Sequence, residues 1–570
     1  MNKYELFPDI YANEGQEKAL DLIFSFLRSD EKVFLLNGAG GTGKTTLIKK
    51  VLEDYPNSKW GGITVSHKAK KVLGKSIGED HVMTIASALS IKLNEQTGEF
   101  SPDINKRAKN IIPINKMNLV IVDECSMLSD AMIAEFKLFK KPHAKIIFIG
   151  DVSQLPPIGQ ERISSIFSLP NQYTLTEKMR QAVTSPIINI GTLVAENQKL
   201  PSPLLRCIPI ENRINQYDEE SDSSVLFESS EDVALDEFVK DFRKANGNVN
   251  YVKAVTFNNE KHNSSQSVKN LNQKIRKKIW GERSSEQFVI GEMLTSYDSL
   301  GNGKEIIFNN SEDFTVDKIE HRKNVRIEAS AYCFKSGKSV FLDDIKPKKK
   351  EVSTVFQALA EDNSEAGEPT FYDLVYLDLI DETGEFYSRI PVVAESSKKQ
   401  YEEDLAKLWK YSIPLAYALQ NQFANLQYAY AITSTKAQGS TYINTYVFED
   451  NILGSTNGGT ILAKNQALYV AVSRPRKKLV IVSEYNSTKP PVIKEKEDVF
   501  TISKTDIILA YILNHGSNES LNTIKDSGFT TMSEIVQMLV YRSQVGIGKY
   551  SIEIHNITTG KSRGITKIIK

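Results

Sequence analysis

The residues most suited to chemistry form the run Gly38-Ala39-Gly40-Gly41-Thr42-Gly43-Lys44-Thr45. Glycines at this density let backbone N–H groups turn inward around a phosphate chain, and a helix start behind them adds partial positive charge. In such a loop Lys44 reaches the β- and γ-phosphates, the Thr45 hydroxyl ligates Mg2+, and Thr46 follows at the helix start. A second set is Asp123-Glu124, two carboxylates at the end of the apolar run Leu119-Val120-Ile121-Val122. Asp123 is placed to bind Mg2+ through water, and Glu124 to orient and activate an attacking water. A third is Gly150-Asp151-Val152-Ser153-Gln154-Leu155-Pro156-Pro157, in which Gln154 can touch both a γ-phosphate and a neighbouring domain. Upstream, the amide of Gln16 offers the donor and acceptor that suit the edge of adenine. Together these groups describe binding and hydrolysis of a nucleoside triphosphate, with ATP and Mg2+ as the expected cofactors.

Each group needs an element to hold it. Val33-Phe34-Leu35-Leu36 reads as a buried strand before the glycine loop, and Thr46-Leu47-Ile48-Lys49-Lys50-Val51-Leu52 as the helix after it. Lys145-Ile146-Ile147-Phe148-Ile149 is a further buried strand. Gly61-Gly62-Ile63-Thr64-Val65-Ser66 is another, running into a helix that starts at His67. A strand end carrying Ser66, His67 and Lys68 can hold a nucleic-acid backbone. Several βα units in a row imply a doubly wound α/β domain, with ligands at the C-terminal ends of its strands. The stretch from Ile91 to Phe100 reads as a hairpin turning at Gly98, an excursion of about residues 89–109 from that first domain, 1–172.

A second α/β series opens at Val252-Lys253-Ala254-Val255-Thr256-Phe257, resumes at Ala429-Tyr430-Ala431-Ile432 and finishes with Leu479-Val480-Ile481-Val482. It is assigned to 173–257 and 414–490. Between them, 258–413 carries short alternating runs and turn signals, which suggests a small inserted β-barrel. Lys489-Pro490-Pro491 reads as a linker. In the extension 491–570, residues 506–514 look helical and 550–556 strand-like, and no chemistry is legible.

Composition narrows the class. The chain has 570 residues, 40% hydrophobic and 25% charged, which describes a soluble globular protein of several domains. It contains no apolar run of about 18 residues and no apolar signal region behind Met1, so neither a membrane span nor a membrane partner is expected. Three scattered cysteines, Cys125, Cys207 and Cys333, give neither a disulfide frame nor a zinc site, and fit a reducing, cytoplasmic setting. Formal net charge is zero, so any nucleic acid must be held in a local groove.

Two later stretches make the pattern specific: Thr433-Ser434-Thr435-Lys436-Ala437-Gln438-Gly439-Ser440-Thr441-Tyr442, and Leu468-Tyr469-Val470-Ala471-Val472-Ser473-Arg474-Pro475-Arg476. With the glycine loop, Asp123-Glu124 and Gly150 to Pro157, this order resembles superfamily 1 helicases, in particular the RecD/Dda-like branch that moves 5′ to 3′ on single-stranded DNA. The resemblance covers about residues 10–485. It implies two RecA-like domains with ATP between them, and Arg474 and Arg180 reaching the γ-phosphate. It implies Gly439 at the nucleotide, and DNA contacts at Ser66, His67, Thr84, Thr433 and Lys436. It further implies that the inserted barrel is SH3-like and that the hairpin is a strand-separating pin, with Phe100 near its tip. Met179 stands before Arg180 where other superfamily members place an aromatic residue. The implied partners are single-stranded DNA and tailed duplex, with replication or repair proteins beside them, and the implied unit is a monomer. The competing reading is a P-loop ATPase that remodels protein–nucleic acid complexes without processive unwinding. The intact catalytic groups argue against a third reading, a binding module with a vestigial ATPase.

Overall fold

A computed structural model describes residues 4–8, 10–54, 59–94, 99–109, 111–157, 162–177, 185–198, 207–209, 212–259, 265–301, 306–333, 338–342, 369–454, 460–486, 551–555 and 562–566. The first α/β unit is built on six strands: β1 (Val33–Gly38), β2 (Trp60–Thr64), β3 (Val82–Thr84), β4 (Leu119–Val122), β5 (Lys145–Gly150) and β6 (Gln172–Leu175). Their order across the sheet is β6-β1-β5-β4-β2-β3, and every pairing is parallel. Parallel strands covered on both faces read as unbroken apolar runs, and the burial follows that rule. Phe34 and Leu36 of β1 pack with α1 (Glu14–Arg28) and α2 (Lys44–Glu53), while Leu35 between them faces the opposite core with Ile63, Val120 and Phe148.

This topology brings the phosphate chemistry together. The central neighbours β1, β5 and β4 end respectively in the glycine loop, Gly150-Asp151 and Asp123-Glu124. The C-terminal edge of a parallel sheet is where such folds place ligands.

The second α/β unit and its insertion follow in chain order. Strands β7 (Gln216–Asp218), β8 (Ser223–Glu228) and β9 (Val252–Thr256) come first. Next are β10 (Met293–Ser296), β11 (Asp313–Ile327), β12 (Thr370–Asp381), β13 (Phe386–Val393) and β14 (Leu426–Tyr428), then β15 (Ala431–Thr433), β16 (Tyr442–Phe448) and β17 (Pro475–Val482). The second sheet has the order β7-β8-β17-β16-β9-β15, parallel except for the edge strand β7.

The inserted sheet is antiparallel, in the order β13-β12-β11-β10-β14. A backbone bond of 2.8 Å from Ala424 N–H to the Pro391 carbonyl ties the segment before β14 to β13 at the opposite edge. Aromatic edges meet inside: Phe308, Phe314 and Tyr387 form a T-shaped trio with ring centroids 5.0 to 6.1 Å apart. The helix Val268–Trp280, within the stretch 258–413, lays Leu271 and Ile275 into the core of the second sheet.

The hairpin in the first unit pairs Ile91–Asn94 with Glu99–Pro102, with Leu93 opposite Phe100. Its expected turn at Gly98 and the side chain of Phe100 lie outside the described residues, as do Met179, Arg180, residues 346–350 and residues 506–514. The strand-like end of the chain is the antiparallel pair Ser551–His555 and Ser562–Thr566. No helix among the described residues is long and apolar enough to cross a membrane.

Candidate nucleotide and nucleic-acid sites

The glycine loop takes its shape from two backbone conformations that side chains disfavour. Gly41 and Gly43 have φ of 82° and 85°, in the left-handed region where a Cβ is strained. Nothing lies within 4 Å of a Cβ built on Gly40 or Gly41, so that face of the loop is open to a ligand. The loop is braced internally by Thr42 Oγ1 donating to the Ala39 carbonyl at 2.9 Å. Lys44 Nζ donates to the carbonyls of Gly38 (2.5 Å) and Ala39 (2.9 Å). Thr45 and Thr46 open α2, whose N-terminal dipole points at the loop. Gln16 is buried: its Nε2 donates to the Thr42 carbonyl at 3.1 Å, and its Oε1 accepts from the Asn13 backbone in a capping box on α1. It therefore ties α1 to the phosphate loop.

Asp123 and Glu124 sit at the end of β4. Glu124 has φ 54° and ψ 41°, a left-handed conformation that costs a non-glycine residue about 1–3 kcal/mol and concentrates at functional sites. Its amide donates to Asp123 Oδ1 at 2.9 Å. Burial raises the Asp123 carboxyl above its ordinary value, with the Glu124 amide and the Lys44 ammonium opposing. Burial and the Asp123 charge push Glu124 up to about 7, against the pull of Arg474 and Lys44. Glu124 thus feels one cation from each α/β unit.

The β5 turn is held from the second unit. Gln154 Oε1 accepts from Gln438 Nε2 at 2.9 Å, and the same Gln438 amide lies 3.4 Å from Ser126 Oγ. Helix α3 (Ile461–Val472) of the second unit adds two contacts. Tyr469 donates its hydroxyl to Asp151 Oδ2 at 2.6 Å, and Gln466 Nε2 donates to the Val152 carbonyl at 3.3 Å. Just past the end of α3, Arg474 is buried, donating to the carbonyls of Val470 (2.9 Å) and Ser440 (3.1 Å) and to Ser473 Oγ (2.9 Å). Asp151, Gln438, Gln466 and Tyr469 were not singled out from sequence as site residues, although each lies inside or beside a motif that was.

The residues expected at nucleic acid fall at strand ends on both units. Ser66 caps the helix His67–Ile77, accepting from the Ala69 amide at 3.1 Å. Burial, then the charges of Lys70 and Lys71, lowers His67 below its ordinary value, which favours the neutral ring. Thr84 and Thr433 occupy matching positions: each ends an edge strand, β3 or β15, and each caps a four-residue helix. Lys436, on the second of these helices, has its Nζ over the Tyr297 ring, 3.1 Å from the centroid, and that nitrogen is buried with no hydrogen-bond partner among the described residues. Gly439 adopts φ 73°, and a Cβ there would lie 3.6 Å from Ala69 Cβ on the first unit.

A charged junction lies beside these strand ends. From the helix His67–Ile77, Lys68 pairs with Asp313 at 3.3 Å, and Lys71 with Asp381 (3.3 Å) and Glu312 (3.4 Å), all on or next to the inserted sheet. Lys253, fully buried in β9, reaches the same Asp313 at 3.2 Å. Burial pushes the Asp313 carboxyl up, but the Lys253 and Lys68 ammonium groups outweigh it and hold it well below the usual carboxylate range.

Residues 11–199 match the family model described as an AAA domain. The chain is 26% identical to the uncharacterized protein R530 of Acanthamoeba polyphaga mimivirus over 524 residues, covering 83% of this chain and all of that one. It is 28% identical to the ATP-dependent DNA helicase Dda of Enterobacteria phage T4 over 328 residues, covering 54% of this chain and 68% of that one. The crystal structure of Pif1 helicase from Candida albicans aligns over 83% of this chain and 95% of that one, with 16% identity and a TM-score of 0.38. The sequence matches and the order of the motifs point the same way: the chain is similar to superfamily 1 helicases of the RecD/Dda-like branch.

Proposed function

We propose that this protein is an ATP-dependent DNA helicase that moves 5′ to 3′ on single-stranded DNA and unwinds tailed duplex. The observation that carries the reading is the divided ATP site. The glycine loop, Asp123, Glu124 and Gln154 stand on one α/β unit, while Gln438 and Arg474 face them from the other. A site split in this way makes hydrolysis depend on how the two units are seated, which is what a motor needs.

The residues present fit a magnesium nucleotide. Asp123 is a desolvated carboxylate whose nearby cation is Lys44, and with the Thr45 hydroxyl it offers hard oxygen donors of the kind Mg2+ takes. When bound, Mg2+ neutralises charge building on the phosphates. Lys44 would bind the β- and γ-phosphates, with the amides from Gly38 to Thr46 around them. Glu124 would take a proton from the attacking water, Gln154 would sense the γ-phosphate, and Arg474 would stabilise charge on the phosphoryl group in transfer. Arg180, outside the described residues, is assigned the same role, and Gly439 a place at the nucleotide. Gln16 would fix the loop's seat near the adenine. Ser66, His67, Thr84, Thr433 and Lys436 would line the path of the single strand across both units. In this reading the Ile91 hairpin with Phe100 is the pin, the inserted sheet is an SH3-like accessory domain, the enzyme works as a monomer in the cytoplasm, and 491–570 is an extension.

The test is unwinding of matched duplexes bearing a 5′ or a 3′ single-stranded tail, alongside ATP turnover with and without single-stranded DNA. Strong stimulation by the single strand and unwinding of the 5′-tailed substrate alone are expected. Unwinding of only the 3′-tailed duplex overturns the polarity, and stimulation without unwinding favours the remodelling ATPase.

A further inference from the structure

The hairpin that pairs Ile91–Asn94 with Glu99–Pro102 is four residue pairs long. A two-stranded ribbon of that size is at best marginally stable by itself in water, so its seat on the first unit decides how stiff it is. The seat is built at Leu89 and Ser90. Leu89 is buried with Ala88 in the core of the first unit, and Ile91 packs against that core. Ser90 between them takes φ 51°, a left-handed turn, and its carbonyl accepts from the Asp103 amide at 2.8 Å. The two arms are thereby closed at their base. Asp103 then caps the helix Ile104–Ala108, its Oδ1 accepting from the Lys106 amide at 3.1 Å.

From that helix Arg107 reaches back to the base of the hairpin. Its Nε and Nη2 donate to the Leu89 carbonyl at 3.4 and 3.2 Å, and its Nη1 lies 2.7 Å from Glu135 Oε2. Its side chain is 11% exposed, so these contacts are largely shielded from water. Glu135 stands on the helix Asp130–Phe139, which follows Asp123-Glu124 through the turn Cys125–Met127. One guanidinium thus joins the outgoing arm, the helix after the returning arm, and a helix that begins beside the catalytic strand end. The planar fork of arginine can face a carbonyl and a carboxylate at once, whereas a lysine ammonium on its flexible stem holds no such angle.

We propose that Arg107 is a positioning residue that fixes the angle of the hairpin on the first unit. The hairpin then meets the duplex as a stiff wedge, and the work of translocation opens base pairs instead of bending the hairpin. The inference rests on the reading of this hairpin as the pin.

Arg107→Ala removes both contacts, and Arg107→Lys keeps a cation near Glu135 while losing the fork. Three quantities are measured for each: ATP turnover on a short single-stranded oligonucleotide, translocation along a single strand, and 5′-tailed duplex unwound per ATP hydrolysed. In Arg107→Ala the first two should stay near wild type. Unwinding per ATP should fall about tenfold, the scale of one hydrogen bond from a charged group. The loss should deepen as the G·C content of the duplex rises, and Arg107→Lys should fall between the two. A merely structural arginine would lower the melting temperature and all three quantities together, and would show no dependence on duplex composition. Such a parallel loss, or unchanged unwinding per ATP in folded Arg107→Ala, overturns the proposal. If Arg107→Ala does not fold, Arg107→Lys decides by the same ratio. Failure of the underlying reading shows separately, because wild-type protein would then unwind neither tailed duplex.

Discussion

Two places where the first α/β unit meets the rest of the molecule, among the described residues, are built from different chemistry. At the ATP cleft the contacts are hydrogen bonds with at least one neutral partner: Gln438 to Gln154, Gln466 to the Val152 carbonyl, Tyr469 to Asp151. At the other junction, between the helix His67–Ile77 and the inserted sheet, they are ion pairs: Lys68 with Asp313, and Lys71 with Glu312 and Asp381. A single hydrogen bond of the first kind is worth about 0.5–1.5 kcal/mol net and can be exchanged for a ligand at little cost. Breaking a buried ion pair strands the remaining charge and costs about 3–5 kcal/mol. The nucleotide side is therefore made to open and close, whereas the side with Asp313 is made to stay seated.

The largest effect that tests this contrast is at Arg474. Arg474→Ala should lower kcat by about a thousandfold or more, because an arginine across the cleft acts on developing charge. Affinity for ATP should change only a few-fold. Steady-state kinetics beside a nucleotide titration separate the two, and a variant that loses affinity alone would make Arg474 a ground-state binder and end the idea of a cleft that reports closure through it.

At the charged junction the equivalent break is Asp313→Ala. It leaves Lys253 fully buried with a hydrogen bond to the Ala429 carbonyl, at 2.6 Å, but no carboxylate against it, and it removes the ion-pair partner of Lys68. A loss of about 3–5 kcal/mol is expected, read as a lowered unfolding midpoint. Nucleotide affinity should be preserved. If Asp313→Ala melts like the wild type, the junction is not held by charge.

How much of this was legible beforehand depends on distance along the chain. The catalytic strands could be read because each is a short apolar run ending in its own functional group, as Leu119 to Val122 ends in Asp123-Glu124, and because Gly41 and Gly43 mark backbone that only glycine adopts easily. The junctions could not. Lys68 meets Asp313 and Tyr469 meets Asp151 across hundreds of residues, and no local pattern pairs them. Lys253 lies inside an apolar strand pattern, where its buried charge is balanced by Asp313 from the inserted sheet. The helix Val268–Trp280 shows an ordinary amphipathic stripe, which says that it packs but not on which sheet. Asp313 itself opens a long strand whose alternation gives a barrel-like reading and no hint of its role.

A smaller effect belongs to the hydrogen bonds of the cleft. Gln438→Ala removes the amide shared by Gln154 and Ser126. ATP turnover stimulated by single-stranded DNA should fall about tenfold, the scale of one buried hydrogen bond lost with its partner left unpaired. Thermal stability should move less than in Asp313→Ala. If the two variants lose equal stability, the cleft is as firmly joined as the charged junction and the contrast fails.

The smallest effect is a pH dependence at Lys436, where the two kinds of chemistry meet. Burial lowers this ammonium to about 8, Asp313 and Asp298 pull it up, and Lys68 and Lys253 push it down, with the Tyr297 ring against Nζ. The folded value lies below the ordinary 10.5. Between about 8 and 10.5 the unfolded chain therefore binds more protons than the folded one, so folding stability from this group increases as pH rises through 8. Affinity for single-stranded DNA should run the opposite way, because a phosphate contact needs the ammonium. From pH 7.5 to 9 the wild type should lose about fivefold in affinity for a short oligonucleotide at constant salt, within the limit of tenfold per pH unit set by one proton. Lys436→Arg stays protonated and should bind with a flat profile over the same range. A wild-type profile as flat as that of Lys436→Arg would mean that Lys436 remains under Tyr297 when the strand binds, and the nucleic-acid path would have to be drawn without it.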